Sequence, residues 1–162
     1  FGDPIPGTFK SCKYVVPGSH TNIASSATLA TSYVSPWEAL ASVNNKIVPV
    51  NSADKSGGAY GNWRGDTFSG STEWVSFTWP ADITINAFEV YWWNDGLGIA
   101  TPTAAAIEYW NGTAWVSVGP IGLGLNKFNG ISFKSITTNS IRISMKSNMA
   151  TGILEARIYA VN

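Results

Sequence analysis

Charge is scarce in this chain. Only 12% of its 162 residues are charged, about half the usual share, and ten acidic and ten basic side chains cancel to a formal net charge of zero. That balance argues against a polybasic surface for nucleic acid or anionic lipid. A single cysteine, Cys12, excludes an intrachain disulfide and a cysteine metal cluster, although not export. The single histidine, His20, shares a Pro- and Gly-rich lead-in with Cys12, and no third group is placed to orient the pair as a nucleophile and base. No run reaches the roughly 18 apolar residues of a membrane span. Walker loops, dinucleotide fingerprints and zinc spacings are all missing, and the Gly119–Gly124 run has no lysine, so it reads as a turn. The chain begins at Phe1 with no leader pattern, as expected of a processed product or an excised module.

What the chain has in excess is aromatic side chains. Eight Trp, six Tyr and seven Phe make up 13% of the residues, set among Thr, Ser, Asn and Gly. Many rings, many small polar groups and few charges fit a secreted β protein, with several tryptophans packing a core and others left at the surface. Residues 1–21 read as an extended lead-in, and 22–162 as one β domain. Residues 22–35 read as a first strand, and Pro36–Val43 as a helical turn capped by Ser35, with Leu40 and Val43 inward. Residues 44–72 form a long irregular segment, of the kind that is functional or metal-braced. Glu73–Trp79 alternates as a strand, and so does Ala87–Trp93, which opens into Asn94-Asp95-Gly96-Leu97-Gly98. A hairpin follows, Ala105–Trp110 and Trp115–Val118 about Asn111-Gly112. Three further strands are expected at Ile131–Phe133, Ile141–Met145 and Gly152–Val161. Short strands with almost no helix predict an all-β antiparallel sandwich of about eight core strands.

The order of these pieces resembles the discoidin, or coagulation-factor type C, family. The resemblance rests on Asn22-Ile23-Ala24, Ala41-Ser42-Val43-Asn44-Asn45, Asn62-Trp63, Glu73–Phe77, Ile107-Glu108-Tyr109-Trp110-Asn111-Gly112 with Trp115-Val116, Ile141-Arg142-Ile143, and Gly152–Glu155. Within that family, Trp92–Gly96 with Pro102 and Tyr60–Trp63 are most similar to modules appended to bacterial polysaccharide-degrading enzymes. The resemblance implies a jelly-roll, galactose-binding-like sandwich that binds carbohydrate through loops at one end, often with structural calcium. It implies a module secreted or at a bacterial cell surface and joined to a catalytic domain. A monomer is expected, and the charge balance leaves no nucleic-acid partner; membrane insertion through an apolar loop tip, known in some relatives, is not expected, since Leu97 is the one candidate tip.

Sugars stack their C–H faces on indole while polar groups fix the hydroxyls. The candidate carbohydrate-binding residues are therefore loop rings beside loop polar groups: Trp93, Asn94 and Asp95; Tyr60, Asn62, Trp63 and Arg64; and Trp37 with Glu38. Alternation sends Trp92 to the core and Trp93 to the opposite face, while Trp63 suits either a core plug or a ligand platform. Trp74, Trp79, Trp110 and Trp115 read as packing residues. For calcium, the family's Glu matches Glu155. Its Asp position is occupied by Asn44, with Ser52 or Asp54 able to compensate. No catalytic residues are assigned. A protein- or cell-adhesion module of the same fold is the alternative, and a small glycan hydrolase pairing Asp95 with Asp66, Asp54 or Glu38 is a second. Arg64-Gly65-Asp66 reads as an incidental tripeptide, and Asn111-Gly112-Thr113 as a turn before it reads as a glycosylation sequon.

Overall fold

In the computed structural model, residues 20–65 and 71–161 are described. Cys12 and Asp66 lie outside them, as does most of the expected lead-in, whose last two residues, His20 and Thr21, belong to the first strand.

Among the described residues, nine strands form an open antiparallel arrangement: β1 (His20–Asn22), β2 (Thr28–Thr31), β3 (Tyr60–Gly61), β4 (Thr72–Trp93), β5 (Ile99–Ala100), β6 (Ala104–Trp110), β7 (Trp115–Pro120), β8 (Phe128–Lys146) and β9 (Ala150–Val161). The short β5 alone runs parallel to its partner, β9. The two strands expected at 73–79 and 87–93 are one continuous β4, and those expected at 131–133 and 141–145 are one continuous β8. Thr78 pairs with Ser140 and Ile83 with Thr138, so residues 79–82 of β4 stand opposite Asn139 alone. Pro80, Ala81 and Asp82 are exposed there, which suits a proline that cannot donate to a ladder. The β4–β8 ribbon bends at this point and enters both layers of a sandwich. One layer holds β2, the first part of β4, the second part of β8, then β6 and β7. The other holds the first part of β8, the second part of β4, and β9 with β1 and β3 at its far side. The predicted sandwich is therefore the fold observed.

Alternation along β4 fills the space between the layers. Val75 and Phe77 come from one half, Phe88, Val90 and Trp92 from the other, and all are fully buried. The Phe77 and Phe88 rings meet edge to face, with centroids 5.8 Å apart. Trp92 donates its Nε1–H to the Gly122 carbonyl at 2.8 Å, which satisfies its one polar atom in the core.

Three local expectations are corrected. Residues 22–35 are not one strand: a 3-10 turn at Ala24–Ser26 interrupts them. Asn22 Oδ1 accepts from Ala24 N at 3.1 Å and from Ile158 N at 3.2 Å, and Ser26 Oγ donates to Ile23 O, so short polar side chains outcompete the ladder. The helical turn is a 3-10 turn displaced to Leu40–Asn44, without a side-chain cap. Its expected start is held away from helix because Ser35 N bonds Gly61 O at 2.8 Å and Ala39 N bonds Ala59 O at 3.0 Å. Val43 is fully buried, as expected. Finally, Trp110 and Trp115 are only half-buried; they lie 5.6 Å apart, with Arg142 stacked 4.4 Å over Trp115 and paired to Glu108.

Because Phe77 and Phe88 are where the two layers meet, Phe88→Ala is expected to cost about 3–5 kcal/mol. Urea unfolding with an unchanged m-value tests this, and a loss under about 1 kcal/mol would show that the rings are not the joint between layers.

Candidate functional site

Three loops converge at one end of the sandwich. The first, 35–39, is pinned by its backbone to Gly61 and Ala59. The second follows β3, and the third, 94–98, joins β4 to β5. Between them is a cleft of about 250 Å³ lined by Trp37, Glu38, Trp63, Trp93, Asp95, Gly98 and Ile99.

The cleft's floor depends on two facing glycines. Gly61 and Gly152 are paired across β3 and β9, and Trp93 is opposite Gly152. A Cβ on Gly152 would lie 2.6 Å from Trp93 Cε3 and 2.8 Å from the Tyr60 carbonyl; one on Gly61 would lie 2.9 Å from Trp93 Cζ3. The indole therefore lies flat where only glycine leaves room. This is why Trp93, on the face of β4 away from the core, is nonetheless only 4% exposed. Above it, Trp37 is 66% exposed and tilted at 58° to Trp63, with centroids 5.1 Å apart. Gly98 brings the third loop against the Trp63 indole, where a Cβ would lie 3.3 Å from its Nε1.

Asp95 shapes its own loop. Its Oδ1 accepts from Leu97 N at 2.8 Å and Ile99 N at 2.9 Å. Glu38, whose side chain is only 8% exposed, pairs through Oε1 with Lys55 Nζ at 3.0 Å, and that ammonium sits 4.8 Å above the Trp93 ring. Lys55, Gly98 and Ile99 were not among the sequence candidates. Lys55 arrives from the long 45–58 loop, and nothing in its local sequence marks the contact.

Of the nine sequence candidates, the fold gathers Trp37, Glu38, Trp63, Trp93 and Asp95 into the cleft. The other four are placed elsewhere. Tyr60 is fully buried, its hydroxyl donating to Tyr33 O at 2.9 Å, and burial pushes its pKa up to about 12. Asn62 is also fully buried; it ties its loop to β9 through Asn62 N to Thr151 O and Thr151 N to Asn62 Oδ1. Arg64 pairs with buried Glu73 at 2.9 Å and stacks 4.1 Å over Tyr33. Asn94 turns to a neighbouring hollow shared with Ser52 and Asn126. Its N–H donates to Ser52 O at 2.8 Å, and its Oδ1 accepts from Gly96 N.

The four metal candidates are not drawn together. Asn44 donates its amide to Ala24 O at 2.8 Å. Ser52 exchanges two bonds with Asn126. Asp54 accepts from Val50 N and Ser56 N, and the Ser56 hydroxyl, followed by these two N–H groups, holds its carboxyl below the usual range. Among the described residues no three His, Cys, Asp or Glu side chains cluster as a metal site. Glu155 stands apart from these three. It is 1% exposed, its Oε2 has no partner, and burial pushes its carboxyl up to about 7 against the pull of Lys46, Asn45 and Arg157.

No family model matches the sequence, and no curated protein does. Solved structures do. A chain from the Streptococcus pneumoniae β-galactosidase BgaA superimposes with a TM-score of 0.70 at 19% identity, covering 87% of this chain and 98% of that one. The family 32 carbohydrate-binding module of C. perfringens NanJ, in complex with galactose, gives 0.69 at 14% identity over 87% and 99%. Chitosan-binding module 2 of a Paenibacillus sp. IK-5 chitosanase/glucanase, in complex with chitotriose, gives 0.65 at 18% over 85% and 99%.

The glycine floor carries a direct test. Gly152→Ala is expected to cost about 1–3 kcal/mol by driving a methyl into Trp93 and the Tyr60 carbonyl. Denaturant unfolding unchanged from the parent would show that the floor is slack. With its crossed ribbon, two layers and loop-end cleft, the chain has the galactose-binding-like, discoidin-type sandwich fold of the family 32 carbohydrate-binding modules.

Proposed function

We propose that this chain is a non-catalytic carbohydrate-binding module whose site is the Trp37–Trp63–Trp93–Asp95 cleft. The observation that carries the reading is the cleft itself: an exposed indole and two further indoles around a small hollow, edged by carboxylates that can accept hydroxyl hydrogen bonds. Neighbouring folds captured with galactose and with chitotriose support the same use of the scaffold. The module would hold a glycan against a covalently linked glycan-active enzyme or surface protein, as a monomer outside the cell, and so raise the local substrate concentration. With few contacts to offset the ordering cost, single-site affinity is expected to be roughly micromolar to millimolar, and repetition of sites would supply the rest.

The adhesion and hydrolase readings have less to stand on. Each cleft carboxylate gives one oxygen to a structural partner, Glu38 to Lys55 and Asp95 to the N–H groups of its own loop, and keeps the other to accept from a hydroxyl. Trp37→Ala removes the most exposed ring, so stability should stay within about 0.5 kcal/mol. Retardation in polysaccharide affinity gels should be lost. Undiminished retardation would sink the assignment of this cleft, and glycoside turnover by this chain alone would sink the module reading.

A calcium ion belongs to the proposal as a brace, and Glu155 fits it. Its unpartnered, buried oxygen is a hard anionic ligand, Asn44 lies at the start of the adjoining loop, and backbone carbonyls of that loop could complete the set. Ser52 and Asp54 are committed to other bonds. The loop has reason to need bracing: Lys46 adopts a left-handed φ of 69°, and Ile47, Val48 and Val50 are exposed. Calcium at a hundred times its Kd would add about 2.7 kcal/mol of stability. The melting temperature should rise with calcium, fall with chelator, and ignore both in Glu155→Gln. No response in the parent protein, and no bound metal by elemental analysis, would remove calcium from the proposal.

A further inference from the structure

The charges around the cleft are unequal. Glu38 and Asp95 line it, and among the described residues the one cation at its edge, Lys55, is already paired with Glu38. Arg64 cannot offset them, because it is drawn away to Glu73 and Tyr33. Asp95 is built to leave one oxygen free. Two backbone N–H groups converge on Oδ1 and fix the carboxylate, while among the described residues no hydrogen bond reaches Oδ2. Glu38 is a carboxylate whose side chain is only 8% exposed, beside an indole. Such a group needs a cation.

The lysine shows which cation fits. Its ammonium lies 3.0 Å from the Glu38 carboxylate and 4.8 Å above the Trp93 ring. The cleft thus already holds a primary ammonium on an indole face against a carboxylate, a cation–π and charge-assisted arrangement together. Lys55 is 44% exposed and carried on a flexible four-carbon stem, so it can yield that place or share it. A pyranose stacked on the indoles and bearing an amine would present the same group. An acidic sugar would meet two carboxylates, and a neutral one would leave Asp95 Oδ2 without a cation.

We propose that the cleft selects a cationic amino sugar, a pyranose with a free ammonium, over neutral and acidic sugars. The inference rests on the carbohydrate-binding reading above, and its test separates the two. Three β-1,4-linked trisaccharides, of glucosamine, N-acetylglucosamine and glucose, differ only at the C2 substituent. They are titrated calorimetrically into the protein at about pH 6, below the usual amine range, so that the sugar amine is charged. One charge-assisted bond should favour the glucosamine trimer by about tenfold or more. Asp95→Asn keeps an acceptor at Oδ1 for Leu97 and Ile99 and should collapse the preference without abolishing binding of the neutral trimer; Glu38→Gln should weaken the preference in the same way. Trp37→Ala should abolish binding of all three. Equal binding of the trimers, or preference for the acetylated one, would overturn the amino-sugar assignment while leaving the carbohydrate reading in place. Glucosamine binding that survives Trp37→Ala would place the interaction outside the cleft and overturn the proposal. Failure of the three trimers and of a broad glycan panel would overturn both readings.

Discussion

Everything in this molecule depends on one bend. The β4–β8 ribbon is long enough to be a strand pair in each of two layers, and at residues 79–82 it gains residues on one side only. An uninterrupted ribbon of that length would leave its apolar face open to water. The bend lays Phe77 on Phe88 and turns one alternating pattern into both walls of a core. Strand β9 then closes the second layer and anchors β1, β3 and β5, so the loop-end cleft hangs on elements that owe their positions to that fold.

The cleft is stiff where it touches the sandwich and open where it faces solvent. Trp93 is clamped over paired glycines, Asn62 straps its loop to β9, and Asp95 holds its own loop through two N–H bonds. These restraints are met in the free protein, so few degrees of freedom remain to be lost when something fills the hollow. Trp37, by contrast, keeps one face wet. A rigid base with one adaptable ring is a sound design for weak, repeated contacts.

Much of this was legible in the residues. Period-2 alternation in 73–79 and 87–93 identified the core faces, and it separated Trp92 from Trp93 correctly. The hairpin was legible from Asn111-Gly112, where Asn111 Oδ1 accepts from Thr113 N and Ala114 N and Gly112 takes a φ of 98°. Alternation names the side of a strand, however, and not what covers it, so the near-complete burial of Trp93 under other segments was invisible. Tyr60 and Asn62 read as loop residues because a two-residue strand has no period to detect. Arg64 read as a candidate sugar contact because its partner, Glu73, comes from the start of the next strand. The lone carboxylate at Glu155, set in an apolar strand, was conspicuous in sequence and is conspicuous in structure.

The bent ribbon also dictates how the chain must find its fold. Tyr91 pairs with Phe128 and Thr72 with Lys146, so even the nearest rungs of the central ladder close a long stretch of chain, and β1 must wait for β9 at the opposite end of the sequence. Among the described strand pairs only the β6–β7 hairpin is local. Loop-closure entropy must therefore be met before the apolar layers reward it, which places folding in the slow, millisecond-to-second regime of sandwich proteins. Until β9 docks, the unpaired flank of β4, with Trp92 and Trp93 on it, is the segment most open to pairing with another chain.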